Sequence, residues 1–386
     1  MNRDQLMEVL EQQKVKTVTF EYADGGAVVV TQRGARILGV FPSGEGRSSN
    51  AMWVNPHIEA LFSGVATDWD GQGEGGMGGG RFWVSPEQNY YYNKDAKTFD
   101  GWFCQLPMDP GTYEVTDCSA TSVTYRNQFD LHDYLTGSDL KNLSVERSIS
   151  PLANPLLNTP VWSALKDKVG YVGVATTDDL QLPATSDKAP TLCPWTLVQV
   201  PTALGGGPST VIVPTAKQAQ PLGYFGEIPA DRLRVFPNYV QYKIDAQLVT
   251  KLGILPEDIA PQGNIRIAYL RAVGNADDDS ACATPCCKWQ LVVLESDSVA
   301  RDQKDVIDPA KVDPAGPKGA IQSYNSGSTG SAKFGEIEVQ HLPVTLTNGV
   351  YQTVVNNRLY AFQGAKADVL AIAENLLGLK NIELFG

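Results

Sequence analysis

Histidine is scarce in this sequence, with three residues in 386, and no two cysteines form a CxxC pair. The six cysteines include a cluster at Cys282, Cys286 and Cys287, beside several aspartates in a loop-like segment. That spacing matches no usual zinc site, so we interpret the cluster as a surface insertion with free thiols and predict no metal. The sequence also lacks GxSxG, and GxGxxG in a βαβ unit, which argues against a serine hydrolase and a nicotinamide enzyme. We predict no cofactor.

Long apolar runs and clusters of basic residues are also missing. No run approaches the roughly 18 apolar residues of a membrane helix, and the net charge is −12. An acidic chain without a Lys/Arg cluster is poorly suited to nucleic acid or an anionic membrane, so we predict neither as a partner. The charge suits a neutral or cationic ligand. The first residues contain no apolar segment of the signal-peptide type, and we expect a cytoplasmic protein.

Residues that favour turns and strands are abundant, with 36 Gly, 24 Pro and 15 Tyr. Many short strands joined by tight turns are therefore expected, including a hairpin across residues 24–26, and no βαβ alternation is visible. We predict a mainly-β protein with one domain over residues 1–386, a large antiparallel β-sandwich. A helix is predicted within 1–14 and another at 370–377. Residues 300–330 are predicted to form a long loop near the site.

Three segments carry a resemblance to a known group of proteins. Residues 79–87 read GGRFWVSPE, residues 34–38 read GARIL, and residues 338–343 read EVQHLP. In this order they resemble the galactose-mutarotase-like (aldose-epimerase-like) superfamily, and segments between 208 and 325 resemble its uncharacterised bacterial members. The first segment has one residue fewer between its Gly pair and its Arg than the Gly-Gly-x-Arg-x-Trp-x-x-Pro-Glu of epimerase relatives.

The resemblance implies a β-supersandwich built around a sugar-binding cleft, with a mono- or oligosaccharide as partner. Glu338 matches the position of the catalytic carboxylate in the Glu-x-Gln-x-x-Pro segment of sugar mutarotases. The superfamily's pattern of Asn followed by His-x-Tyr-Phe, which supplies the general acid, is absent here. The resemblance therefore implies a carbohydrate-active protein whose general acid is not identified by a motif.

Two glutamates form the predicted catalytic pair. Glu336 and Glu338 are two residues apart on a predicted strand, so their side chains would point to the same face. Two carboxylates on one face of a cleft can have pKa values that differ, as acid/base catalysis needs. We predict Glu338 as the base with Glu336 as its partner. If an imidazole serves as the acid, His341 and His57 are the first candidates.

The predicted substrate-binding residues combine hydrogen-bond donors, acceptors and aromatic rings. Arg81 offers a planar guanidinium to sugar hydroxyls or to a carboxylate. Trp83 and Trp53 offer rings that can stack on the apolar face of a sugar. The full predicted set is Arg81, Trp83, Glu87, Trp53, His57 and Asn325.

Three functions remain open at this point. The first is an isomerase of the aldose-epimerase type, acting at the anomeric centre of a sugar by acid/base catalysis. The second is a glycoside hydrolase, transglycosylase or polysaccharide lyase that uses paired carboxylates in the same cleft. The third is a sugar-binding protein without catalysis. The sequence does not predict the sugar, the linkage or the oligomeric state.

Overall fold

The structure is a computed structural model, and it describes residues 1–42, 49–62, 74–184, 189–202, 209–273, 288–327 and 333–385. The predicted thiol cluster at Cys282, Cys286 and Cys287 lies outside the described residues. Among the helices that are described, none is long and apolar enough to cross a membrane.

Strands dominate the described residues. In chain order they are β1 (Thr17–Glu21), β2 (Ala27–Thr31), β3 (Arg36–Phe41), β4 (Gly80–Ser85), β5 (Tyr92–Asp95), β6 (Asp100–Trp102), β7 (Glu114–Cys118), β8 (Val123–Asp133), β9 (Ser138–Pro151), β10 (Gly170–Pro183), β11 (Cys193–Pro201), β12 (Ser209–Pro214), β13 (Leu222–Gly223), β14 (Leu233–Val235), β15 (Tyr239–Ile244), β16 (Thr250–Ile254), β17 (Ile265–Val273), β18 (Lys288–Ser296), β19 (Ile321–Asn325), β20 (Phe334–Gln340), β21 (Thr345–Thr347) and β22 (Val350–Ala365). The helices are α1 (Arg3–Gln12), α2 (Ile58–Phe62), α3 (Glu87–Tyr90), α4 (Pro160–Leu165) and α5 (Lys366–Leu377).

Most strands belong to two large antiparallel sheets. The first sheet has the order β1-β2-β3-β4-β11-β20-β19-β16-β13, and the second has the order β14-β15-β12-β17-β18-β22-β10-β9-β8-β7, with β21 paired to β22. A shared apolar core joins them, because it combines Val198 and Ile337 of the first sheet with Val211, Val292 and Leu359 of the second. The predicted mainly-β antiparallel sandwich is therefore confirmed.

Local predictions agree with the structure in most places. The hairpin between β1 and β2 turns at the predicted residues, and α1 begins with a capping box between Asn2 and Gln5. Helix α5 ends at Gly378, whose φ of 66° is the left-handed conformation that glycine adopts readily.

Two segments that the sequence analysis singled out have a local structure of note. In the segment 34–38, strand β3 begins only at Arg36, because Gly34 (φ 73°) forms a short 3-10 turn with its neighbours. The segment 300–330, predicted as a loop, contains strand β19 in the middle of the first sheet. The prediction was wrong because polar composition was taken to indicate a loop, whereas β19 contributes polar side chains to one face of that sheet.

The two faces of the first sheet carry different side chains because successive residues of a strand point in opposite directions. In β20, Ile337 and Val339 belong to the core between the sheets. Glu336, Glu338 and Gln340 alternate with them and point to the other face. The alternation that the sequence predicted for the two glutamates is therefore observed, and it places them away from the apolar core.

Close packing between the sheets generates a prediction at Gly335 of β20. A Cβ atom at this position would lie 2.3 Å from Ile244 Cδ1, on β15 of the second sheet. We expect Gly335→Ala to lower the free energy of unfolding by about 1–3 kcal/mol through overpacking, measured by urea denaturation. Gly80→Ala in the same sheet is the control, because its Cβ would meet only ordinary contacts at 3.7 Å or more.

A double variant tests the cause. Ile244→Ala removes the obstructing side chain, so the cost of Gly335→Ala should shrink in that background by more than about 0.5 kcal/mol. Additive costs for the two substitutions would show that the contact does not limit the packing of the sheets.

Candidate functional site

A cavity of about 580 Å³ opens on the face of the first sheet that is opposite the core. Strand register aligns its wall. One row of paired residues crosses four strands of the sheet. Leu197 of β11 pairs with Arg81 of β4 on one side and with Glu338 of β20 on the other. Glu338 in turn pairs with Gln322 of β19. The lining residues are Arg81, Trp83, Glu87, Trp102, Trp195, Gln199, Phe225, Val249, Lys251, Lys311, Tyr324, Phe334 and Glu336.

The first charged pair of the wall joins Glu336 to Arg81. Arg81 Nη2 donates to Glu336 Oε1 at 2.7 Å, and both side chains are largely buried. The guanidinium carbon of Arg81 lies 4.1 Å from the centre of the Trp83 ring. Arg81 Nε and Nη1 have no hydrogen-bond acceptor among the described residues. Arg81 is thus fixed in place, and two of its donors are buried without a partner in the described structure.

The second charged pair joins Glu338 to Lys251 of β16. Lys251 Nζ donates to Glu338 Oε2 at 3.0 Å, and Trp195 Nε1 donates to the same oxygen at 3.1 Å. Glu338 is completely buried and lies beneath these two lining residues. Within the described part of the chain, Glu338 Oε1 has no donor. The pair therefore holds a carboxylate immediately behind the cavity wall, with one oxygen uncommitted.

Burial and the neighbouring charges act in opposite directions on the pKa of both members of this pair. It raises the pKa of Glu338 to about 7, although the positive charge of Lys251 acts in the opposite direction. Burial alone would lower the pKa of Lys251, but the nearby carboxylates, Glu338 first, raise it above its usual value. Lys251 accordingly stays protonated at neutral pH, and Glu338 exchanges its proton near neutrality.

A second buried carboxyl group supports the floor of the site. Asp308 Oδ1 accepts the backbone N–H of Glu87 at 2.7 Å, and Asp308 Oδ2 accepts Gln322 Nε2 at 3.2 Å and Gln340 Nε2 at 3.4 Å. Burial raises the pKa of Asp308 to about 6, against the attraction of Lys251. These bonds join α3, β19 and β20 beneath the cavity.

Aromatic side chains position the remaining charged residues. Glu87 Oε1 accepts hydrogen bonds from Tyr92 Oη at 3.1 Å and from Trp102 Nε1 at 2.9 Å. Lys311 Nζ lies 5.0 Å from the centre of the Tyr92 ring and 4.6 Å from the centre of the Phe225 ring. A carboxylate and an ammonium group are thus both held by ring contacts at the cavity.

The structure brings together five of the nine predicted site residues. Arg81, Trp83, Glu87 and Glu336 line the cavity, and Glu338 lies directly behind its wall. Arg81 is held by Glu336, and Glu87 is held separately by Tyr92 and Trp102.

The other four predicted residues are not part of this group. His341 is buried, with Nε2 against Thr196 Oγ1 at 2.8 Å and Nδ1 against Ser298 O at 3.2 Å, and burial lowers its pKa to about 4. His57 is exposed just before α2. His341 was a candidate because it is close in sequence to the glutamates, and His57 was a candidate because histidine is rare in the chain. Neither property determines where a side chain points.

Trp53 and Asn325 are placed by packing and turn formation. The Trp53 ring lies 4.7 Å from the Phe334 ring and so supports a lining residue from behind. Asn325 Oδ1 accepts the backbone N–H groups of Asp245 and Ala246, both at 2.9 Å, which fixes the turn after β15. Asn325 therefore organises the backbone and makes no contact with the cavity.

Sequence reasoning missed Lys251, Lys311 and Asp308, and did not select Trp195 or Trp102. For Lys251 a signal was available, because a lysine inside the strand TKLGI is fully enclosed in an otherwise apolar element. A lysine almost never occupies such a position unless it is paired. Lys311 and Asp308 lie in the irregular segment before β19, where no periodicity indicates direction. In the described ranges, no group of three His, Cys, Asp or Glu side chains is arranged to hold a metal ion.

A profile described as "Family of unknown function (DUF6786)" matches residues 4–264, more than half of the chain. The chain belongs to this family. Its sequence matches no curated protein. Solved structures with a similar fold include a galactose mutarotase-like protein from Lactobacillus casei, with 12% identity and a TM-score of 0.43. The match covers 90% of this chain and 99% of the Lactobacillus casei chain. The GalM/aldose epimerase homologue from C. elegans has 8% identity and a TM-score of 0.37, with 91% and 100% covered.

The buried charge pair predicts a large stability effect. Lys251→Met leaves Glu338 without its counter-charge, so at pH 8 the carboxyl group must stay charged in the interior or take up a proton. We expect a loss of about 3–5 kcal/mol in the free energy of unfolding. The loss should be much smaller when Lys251→Met is introduced into Glu338→Gln. Lys304→Met, at an exposed ion pair with Asp302, is the control and should change nothing measurable.

The raised pKa of Glu338 predicts a pH dependence. Its unfolded-state pKa is near 4.5 and its folded-state pKa is about 7, so the stabilising protonated form is present at low pH and is lost as pH rises through 7. The wild type should lose up to about 1.4 kcal/mol per pH unit relative to Glu338→Gln between pH 5 and 7. The protonation of His341 is common to both proteins and cancels in the difference. Parallel stability curves would contradict the raised pKa.

Proposed function

We propose that the protein is a carbohydrate-active isomerase of the aldose-epimerase type, with its sugar bound in the cavity on the first sheet. The observation that carries the proposal is the cavity wall, which combines aromatic rings with the Arg81–Glu336 pair and with Lys251, whose partner Glu338 lies directly behind it. Its volume lies within the range of about 300–1,000 Å³ that is usual for small-ligand sites. It is large enough for a mono- or disaccharide.

The lining suits the two kinds of surface that a sugar presents. The rings of Trp83, Trp102 and Trp195 offer apolar faces for the C–H groups of a pyranose. Glu87 and Glu336 accept hydrogen bonds from hydroxyl groups, and Arg81 donates them through a planar guanidinium. These contacts serve the hydroxyl and C–H groups that pyranose sugars share.

The Lys251–Glu338 pair is the proposed catalytic unit. Glu338 accepts the proton of the anomeric hydroxyl, the C1–O5 bond breaks, and the ring oxygen takes the bond's electron pair and a proton from the Lys251 ammonium group. The ion pair becomes a neutral pair and the sugar becomes an open aldehyde. After rotation about C1–C2 the same steps run in reverse, returning both protons and closing the ring with the other configuration.

Three features of the site support this assignment. Glu338 has a pKa near neutrality, which suits a group that both accepts and returns a proton. Its Oε1 is uncommitted in the described structure, and Lys251 connects it to the cavity. A direct Lys251–Glu338 contact at 3.0 Å also replaces the imidazole acid that the sequence lacks. The proposal requires the sugar to reach Glu338 between Lys251 and Trp195.

A second reaction is favoured by one specific observation. Glu87 and Glu336 both line the cavity, so two carboxyl groups face a bound ligand, as glycoside hydrolysis requires. In that case the glycosidic bond would be broken and a new reducing end would form. An isomerase leaves that bond intact, so the products distinguish the two reactions.

Proton NMR of freshly dissolved single-anomer sugars and short glycosides tests the proposal. We expect accelerated exchange between the α and β anomeric signals with every glycosidic signal preserved. Glu338→Gln should lower the exchange rate constant at least about 100-fold. His57→Ala is the control and should retain the wild-type rate, because His57 is exposed and outside the cavity.

Other outcomes have definite meanings. Loss of a glycosidic signal would replace the isomerase with a hydrolase or a lyase. Sugar binding in calorimetry without any reaction, unchanged by Glu338→Gln, would establish a binding protein. An undiminished exchange rate in a folded Glu338→Gln protein would remove Glu338 from the mechanism.

A further inference from the structure

Three cations and three carboxylates lie at the cavity. Arg81, Lys251 and Lys311 line it as positive charges, Glu87 and Glu336 line it as negative charges, and Glu338 lies directly behind the wall. The charges therefore balance in number, and what distinguishes them is how they are paired.

Each of these charges except one has an identified partner. Arg81 pairs with Glu336, and Lys251 pairs with Glu338 behind the wall. Glu87 receives two neutral donors on one oxygen, from Tyr92 and Trp102. Among the residues that the structure describes, no carboxylate lies within ion-pair distance of Lys311.

Packing holds Lys311 at the cavity. Its ammonium group lies over the rings of Tyr92 and Phe225, at 5.0 Å and 4.6 Å, and its backbone N–H donates to Tyr224 O at 3.0 Å. Ring contacts of this kind fix the direction of a flexible side chain without neutralising its charge. Lys304, seven residues earlier, instead extends into solvent with 74% of its side chain exposed.

We propose that the cavity selects a sugar that carries a single carboxylate, a uronic acid, and that Lys311 binds this carboxylate. The inference rests on the proposed sugar-binding function and adds the class of sugar. One unpaired ammonium group matches one negative charge, whereas a dianionic phosphate would need a second cation. Arg81 and Lys251 are already committed to Glu336 and Glu338.

The acidic composition of the chain does not oppose this selection. At physiological ionic strength charges are screened over about 8 Å, so remote surface carboxylates act weakly on a ligand inside the cavity. Lys311 acts at contact distance in a partly desolvated site, where a charged hydrogen bond is stronger than in water. The unpaired ammonium group of Lys311 therefore favours an anionic ligand over the neutral or cationic ligand that net charge alone suggested.

Isothermal titration of the protein tests the inference with six ligands: galacturonate, glucuronate, the two matching neutral hexoses and their 6-phosphates. We expect a uronate to bind at least about tenfold more tightly than its neutral hexose. Lys311→Met should reduce that ratio to about twofold or less. Lys311→Arg should restore the preference, and Lys304→Met should leave it as in the wild type.

Results that overturn the inference differ from those that overturn the proposed function. Equal affinity for uronate and neutral hexose, tighter binding of phosphate than of uronate, or a preference that survives Lys311→Met would each refute the uronate assignment and leave sugar binding intact. Absence of binding to every sugar, with the protein folded by circular dichroism, would refute both.

Discussion

The register of β20 between β11 and β19 is the constraint on which the site depends. It places Ile337 and Val339 in the core between the sheets and turns Glu336 and Glu338 to the opposite face. A shift by one residue would bury two carboxylates in the apolar core and expose two branched aliphatic side chains. Gly335 reinforces this register, since its lack of a side chain lets β20 approach Ile244 of the second sheet.

Two charged groups at different depths follow from that register. Glu336 faces the cavity and pairs with Arg81, while Glu338 is covered by Lys251 and Trp195. Adjacent carboxylates in different surroundings can differ in proton affinity, which is the property that acid/base chemistry uses. The ion pair with Lys251 and the hydrogen bonds offset part of the free-energy cost of burying Glu338. The apolar core between the two sheets contributes the stability that compensates for the rest.

The fold and half of the site could be predicted from the sequence because both depend on local pattern. Period-2 alternation gave the strands and the common face of Glu336 and Glu338, and the GGRFWVSPE segment gave Arg81 and Trp83. Lys311 and Asp308 could not be predicted, because they lie in irregular chain whose direction is set by distant partners such as Tyr224 and Glu87. The prediction for His341 was wrong for a different reason. A position next to a strand that carries site residues does not determine the direction of a side chain.

The pairing of Lys251 with Glu338 also explains how a chain with three histidines could carry out proton transfer. An isolated buried carboxyl group would stay protonated, and an isolated buried lysine would lose its proton. Held together at 3.0 Å, each preserves the charged form of the other, and a proton can move between them without creating net charge in the interior. In the proposed reaction the sugar gives one proton and takes another, so the total charge of the site stays unchanged whether or not the sugar carries a carboxylate.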